Sequence, residues 1–228
     1  RCYIDLIIMV EAILLLHGLN ERNWNKYLSW AEYLCIGTGR PVILFPIAFH
    51  INRTPDFWSN PRKLFSIYEK RKNQFGDIDH SMSFANVAIS ERISEEPYRF
   101  YSSGRQSLND IVKLMKEIKG GEHALFAKDT RLDVFSYSIG SFLSQVAFMT
   151  NPDNLLADSK LFMFCGGSIF SSMFGQSRSI MDSVAFDKMM RYYQEEFTDS
   201  DVNDEDGDNA LIAFKSMISP ERNEQRRI

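Results

Sequence analysis

A serine held between small residues at the end of an apolar run is the first place in this chain where chemistry is expected. Residues 136–140 read Ser136, Tyr137, Ser138, Ile139, Gly140, directly after Leu132, Asp133, Val134 and Phe135. A nucleophilic serine on a sharp strand-to-helix turn needs small side chains two positions before and after it, because larger ones would strike neighbouring backbone. Ser136 and Gly140 meet that requirement. Such a turn would lift Ser138 Oγ above the carboxyl end of the strand, and the first amides of the following helix would face a developing oxyanion. A serine that attacks an acyl carbon also needs a base. The histidines are His17, His50, His80 and His123. His17 and His50 each follow an apolar run and so belong at the edge that carries Ser138. His123 precedes a run and belongs at the opposite edge, while the position of His80 is left open. His50 is the candidate base of the pair, and His17 is the residue expected to orient the loop that follows the first strand.

The elements that must hold these residues follow from periodicity. Residues 12–16 are continuously apolar and stop at His17 and Gly18, as in a strand buried on both faces of a parallel sheet. Trp24, Tyr27, Leu28, Ala31 and Leu34 recur at helical spacing before Gly37 and Gly39, and 42–45 is a second apolar run at crossover distance. The stretch 50–104 is broken by Pro55, Pro61 and Pro97 and is expected to be an irregular excursion, with helices possible over 63–72 and 84–93. Ser107 is expected to cap a helix whose stripe is Leu108, Ile111, Val112, Met115 and Ile118, ended by Gly120 and Gly121. Arg105 and Gln106, before that helix, are either substrate contacts or simple loop residues, and the loop reading is favoured. A strand over 132–136, a helix over 139–149 and a strand over 161–165 follow. The fold class is therefore α/β: three αβα layers around a mostly parallel sheet, with a core over 1–167 and a helical cap over 168–228.

These features resemble the α/β-hydrolase superfamily, of an uncharacterised bacterial branch. The resemblance covers roughly 12–167 and rests on strand order, on His17 and Gly18 after a buried strand, and on the elbow at Ser138. It implies a serine hydrolase that cleaves an ester or other acyl compound through an acyl-enzyme on Ser138. Ile139 would donate one oxyanion N–H and Leu19 or Asn20 the other; neither a metal nor an organic cofactor is required. Ser136 stands where the commonest elbow has glycine. The family order places an acid and then a histidine after the serine, and no histidine follows Ser138. Either the final strands that carry them are missing from this chain, or His50 acts as base. The cap begins at the elbow's edge, so Phe170, Met173 and Phe174 are expected on the wall of an apolar substrate pocket. The alternative function is a non-catalytic α/β-hydrolase-like binding or interaction protein.

Composition narrows the partners. The 228 residues are 44% apolar, and the formal charge is −4, which supplies no basic field for a phosphate backbone. Nucleic acid is excluded on that ground, and a small-molecule acyl substrate is the expected partner; nothing bears on oligomeric state. A nucleotide-binding reading fails because the loop after the first strand has one glycine and no Gly-x-Gly-x-x-Gly or Walker pattern. The scattered Cys2, Cys35 and Cys165 fit a reducing, cytoplasmic compartment. The apolar run 3–16 is interrupted by Asp5 and Glu11 and is too short to span a membrane. The acidic stretch 199–209 lacks calcium-loop spacing and is expected to be a solvated loop.

Overall fold

The computed structural model describes residues 9–76, 83–167, 169–197 and 208–218. Cys2, His80, residues 3–8 and most of the acidic stretch lie outside the described residues. The apolar runs become β1 (Met9–Leu16), β2 (Val42–Phe45), β3 (Phe126–Tyr137) and β4 (Leu161–Phe164). All pair in parallel, in the order β2-β1-β3-β4. Between them run α1 (Asn25–Thr38), α2 (Pro61–Phe75), α3 (Phe84–Glu95), α4 (Arg99–Gly120) and α5 (Ile139–Thr150). After β4 come α6 (Ser183–Arg191), which continues as a π-helical turn over Tyr192–Phe197, and α7 (Asn209–Ile218).

The period of two along a strand sorts the layers. Ala12, Leu14 and Leu16 face one side with Leu132 and Val134, where α4 supplies Leu108, Ile111, Met115 and Ile118 and α5 supplies Phe142, Leu143 and Val146 to the same core. Phe135, Tyr137 and Phe164 face the other side, where Trp30 of α1 meets their rings edge-on. The sheet is thus covered by helices on both faces, in the three-layer α/β arrangement expected. Phe162 and Phe164 on β4 remain about half exposed.

Several boundaries differ from the sequence expectation for identifiable reasons. Gly37 lies inside α1, and Gly39, at φ 67°, takes the left-handed position that ends it. Leu28, expected on the buried stripe, is 55% exposed, since α1 covers the sheet chiefly through Tyr27 and Trp30. The largest correction is at α4. Ser107 does not cap it but sits eight residues inside, its hydroxyl donating to the Ser103 carbonyl and accepting from the Ala48 N–H. Arg105 and Gln106 are therefore helical rather than loop residues. Tyr101, Arg105 and Leu108 share one face of that helix, a periodicity masked by the polar residues between them.

The excursion and the cap are one body of helices. Arg71 of α2, fully buried, forms a bidentate pair with Asp182 at 2.6 and 2.9 Å and reaches Glu91 of α3 at 3.0 Å. Asp182 in turn caps α6 through the Ala185 N–H. Asn86 Nδ2 donates to the Ser177 carbonyl, and Ser90 Oγ accepts from the Asp182 N–H. The helices of 50–104 and the segment after β4 therefore share buried polar bonds. Asp208, at the end of the acidic stretch, caps α7 and pairs with Arg105. Among the described residues no helix is long and apolar enough to cross a membrane.

Candidate active site

The chain leaves β1 for β2 on one side and returns on the other side of β1 as β3. At such a switch point the loops after the two central strands diverge and leave a crevice at the carboxyl edge of the sheet. Here those loops begin at His17 and at Ser138.

Ser138 joins β3 to α5 with φ 54° and ψ −117°. A side chain held in that region costs ~1–3 kcal/mol and persists only where the surroundings impose it. They do so from several directions. The Ser138 N–H donates to the Phe164 carbonyl at 3.1 Å, and the Ser138 carbonyl accepts from the Ser141 N–H at 2.9 Å. Ser136 is fully buried, with its hydroxyl donating to the Phe162 carbonyl and accepting from Ser144 Oγ at 3.0 Å. Gly140 is a steric necessity, because a Cβ there would lie 2.8 Å from the carbonyl oxygens of both Leu16 and His17. The elbow is thus pressed against the end of β1. Ser138 itself is half-buried, and its hydroxyl makes no hydrogen bond among the described residues.

His17 is committed to structure. Its Nε2 accepts the Ile47 N–H at 2.9 Å, so Nδ1 carries the proton and donates to the Gly18 carbonyl at 2.8 Å. Complete burial, and next the charge of His50, pull its pKa down to about 3. With both nitrogens occupied, His17 ties the loop after β1 to the loop after β2 and has no lone pair for catalysis. His50 differs. Its Nδ1 donates to the Ala48 carbonyl at 2.9 Å, and Nε2 has no hydrogen-bond partner among the described residues. Burial pulls its pKa down as well, which leaves it neutral with an open lone pair near neutral pH. The two rings are 5.2 Å apart between centroids.

A cavity of about 100 Å³ opens beside the elbow, and Leu19, His50 and Ile139 meet on its wall with Phe100, Phe142 and Phe214. The N–H groups of Leu19 and Ile139 donate to no acceptor among the described residues. Asn20, at φ 63°, turns away and donates from Nδ2 to the Ser179 carbonyl. His123 precedes β3, at the opposite end of the sheet from Ser138: Phe126 and Ser136 pair with Met9 and Leu16 of β1, which separates the two ends by roughly 23 Å at ~3.3 Å per residue.

The pocket residues expected in the cap are corrected by the structure. Phe170 is fully buried against Phe100, Phe142 and Phe214, behind the cavity wall rather than on it. Met173 packs on the core, and Phe174 is 78% exposed against Phe186. The apolar wall is instead supplied by α3, α4, α5 and α7, with Arg92, Arg99 and Arg105 as its charged members. The spacing of Tyr101, Arg105 and Leu108 is the signal that could have found this wall; Arg105 is a candidate substrate contact by sequence, whereas Arg92 and Arg99 carry no local signal. Among the described residues no group of three or more His, Cys, Asp or Glu side chains is placed to hold a metal ion.

No curated protein and no solved structure matches the chain. A family does, over residues 8–227: the chain belongs to DUF6051, a family of unknown function.

Proposed function

We propose that this protein is a serine hydrolase of the α/β-hydrolase type that cleaves an ester or other small acyl compound through an acyl-enzyme on Ser138. The observation that carries the proposal is the backbone of Ser138 itself, a strained strand-to-helix turn that the surrounding packing holds in place. In this reading the hydroxyl attacks the acyl carbon and passes its proton to His50 Nε2. The oxyanion takes up the N–H groups of Ile139 and Leu19, the alcohol or amine leaves with the proton from His50, and water then releases the acid by the reverse sequence. His17 holds the Leu19 loop in place. The acyl chain enters the apolar cavity. The protein is expected to act in the cytoplasm.

One observation favours the alternative of a binding protein on the same scaffold. Neither imidazole is hydrogen-bonded to a carboxylate among the described residues, and the charge of Glu21 acts on His50 only through space. Hydrolysis of short activated esters separates the two. A hydrolase loses turnover in both Ser138→Ala and His50→Ala, and its kcat/KM holds as pH falls below 6.5, because the base has a lowered pKa. Turnover equal in wild type and Ser138→Ala leaves the binding protein.

A further inference from the structure

The cavity beside the elbow is apolar except for its arginines. Arg99 pairs with Glu95 and Glu96, and Arg105 with Asp208. Arg92 has no carboxylate partner among the described residues, and its Nε is buried without a hydrogen-bond acceptor. The guanidinium carbon lies 3.2 Å from the centre of the Trp58 ring and 5.6 Å from that of Phe49. Stacking of this kind covers the flat face of the group and leaves its donors, which lie in the plane, pointing past the rings. A buried N–H without an acceptor is a standing cost, and native structures rarely carry one unless something else meets it. Burial, and next the charge of Arg99, draw the Arg92 pKa down to about 10, so the group is still cationic at neutral pH.

We propose that the acyl compound taken by this site carries a carboxylate at the end remote from the scissile bond, and that Arg92 binds it through Nε–H and the adjacent Nη–H. The proposal rests on Ser138 as nucleophile and specifies the substrate class of that site. Arg92 lines both the inner cavity and an outer groove of about 610 Å³ that Trp58, Leu64 and Ile67 also border. It therefore stands where the cavity lined by Leu19, His50 and Ile139 meets that outer groove. The edge of a guanidinium matches the two oxygens of a carboxylate, and the pair is strengthened where water is excluded. An uncharged acyl chain of the same length would fill the apolar wall but leave the Nε–H unmet, the situation in which a site discriminates most strongly. A short dicarboxylic half-ester satisfies both.

The test compares monoethyl glutarate with ethyl pentanoate, following acid release. Wild type should favour the half-ester tenfold or more in kcat/KM, and Arg92→Met should remove that preference. Arg92→Lys, which keeps the charge without the planar fork, should fall between them, and it carries the test should Arg92→Met fail to fold. An unchanged ratio in the folded variants overturns the proposal while leaving the hydrolase in place. A second readout needs no turnover: monoethyl glutarate is titrated into Ser138→Ala protein by calorimetry. Binding at least tenfold weaker in the Ser138→Ala, Arg92→Met double variant supports Arg92 as the carboxylate site even if wild type hydrolyses nothing. Equal affinity in the two proteins overturns it.

Discussion

Replacing Gly140 with alanine tests whether the elbow is built as described. The added Cβ would meet the carbonyl oxygens of Leu16 and His17 at 2.8 Å and the Leu16 carbonyl carbon at 2.9 Å, where ordinary contact begins at 3.4 Å. A gap of 0.6 Å (3.4 less 2.8) must open, and the obstructing atoms are backbone at the end of the central strand, which cannot rotate away. Overpacking of this kind costs ~1–3 kcal/mol. Alanine recovers ~0.5–1 kcal/mol of helix propensity at the start of α5, so the net loss is about 1–2 kcal/mol. For a chain of this size that lowers the melting temperature by roughly 2–8 °C, at ~2–4 °C per kcal/mol. Gly37→Ala is the control, because nothing lies within 4 Å of its Cβ position in the last turn of α1. It should raise the melting temperature by roughly 1–4 °C. The same methyl group thus has opposite effects at the two sites, read by thermal denaturation monitored by circular dichroism. Gly140→Ala melting at or above Gly37→Ala would refute the contact between the elbow and β1.

Two further outcomes follow from buried charge. The pKa of His17 is about 3 in the folded protein against 6.5 for the free side chain, so between those values the unfolded chain binds a proton that the folded chain does not. Stability is therefore full above pH 6.5 and falls as pH drops toward 3, with a slope approaching ~1.4 kcal/mol per pH unit from His17, and His50 acts in the same direction. Urea denaturation between pH 7 and 5 should show a steeper decline for wild type than for His17→Asn; parallel declines would contradict this. Asp182→Ala leaves Arg71, with 1% of its side chain exposed, without its main partner and removes the cap of α6. A loss of ~3–5 kcal/mol is expected, a melting temperature lower by roughly 6–20 °C, and a drop under about 3 °C in calorimetry would show the pair to be dispensable.

What the sequence made legible was set by how local the signal is. Residues 12–16 and 42–45 are apolar runs bounded by breakers, and both appear as strands because a strand between two helical layers leaves no room for polar alternation. The elbow was legible because its demand for small residues falls within five consecutive positions. Connectivity likewise placed the segment after Gly167 near the elbow's edge, but it could not say which side chains face the cavity. Phe170 was drawn into an aromatic core by Phe100, Tyr193 and Phe214, partners far away in the chain. The first turns of α4 were missed because Ser102, Ser103 and Gly104 interrupt the stripe, and tertiary burial of Tyr101 and Leu108 overrode weak propensity. Arg92 was invisible for a further reason: its meaning is that no carboxylate among the described residues pairs with it, which only the packed structure displays.

The central claim is that Ser138 is an activated nucleophile. A fluorophosphonate tests it without knowledge of the substrate, since the serine oxygen bonds to phosphorus, fluoride leaves, and the adduct stays on the enzyme. Mass spectrometry of the digested protein should show a single adduct on the peptide containing Ser138, lost in Ser138→Ala and slowed in His50→Ala. A folded protein that leaves Ser138 unmodified in excess reagent, while other serines react at the same slow rate or none does, would contradict the account.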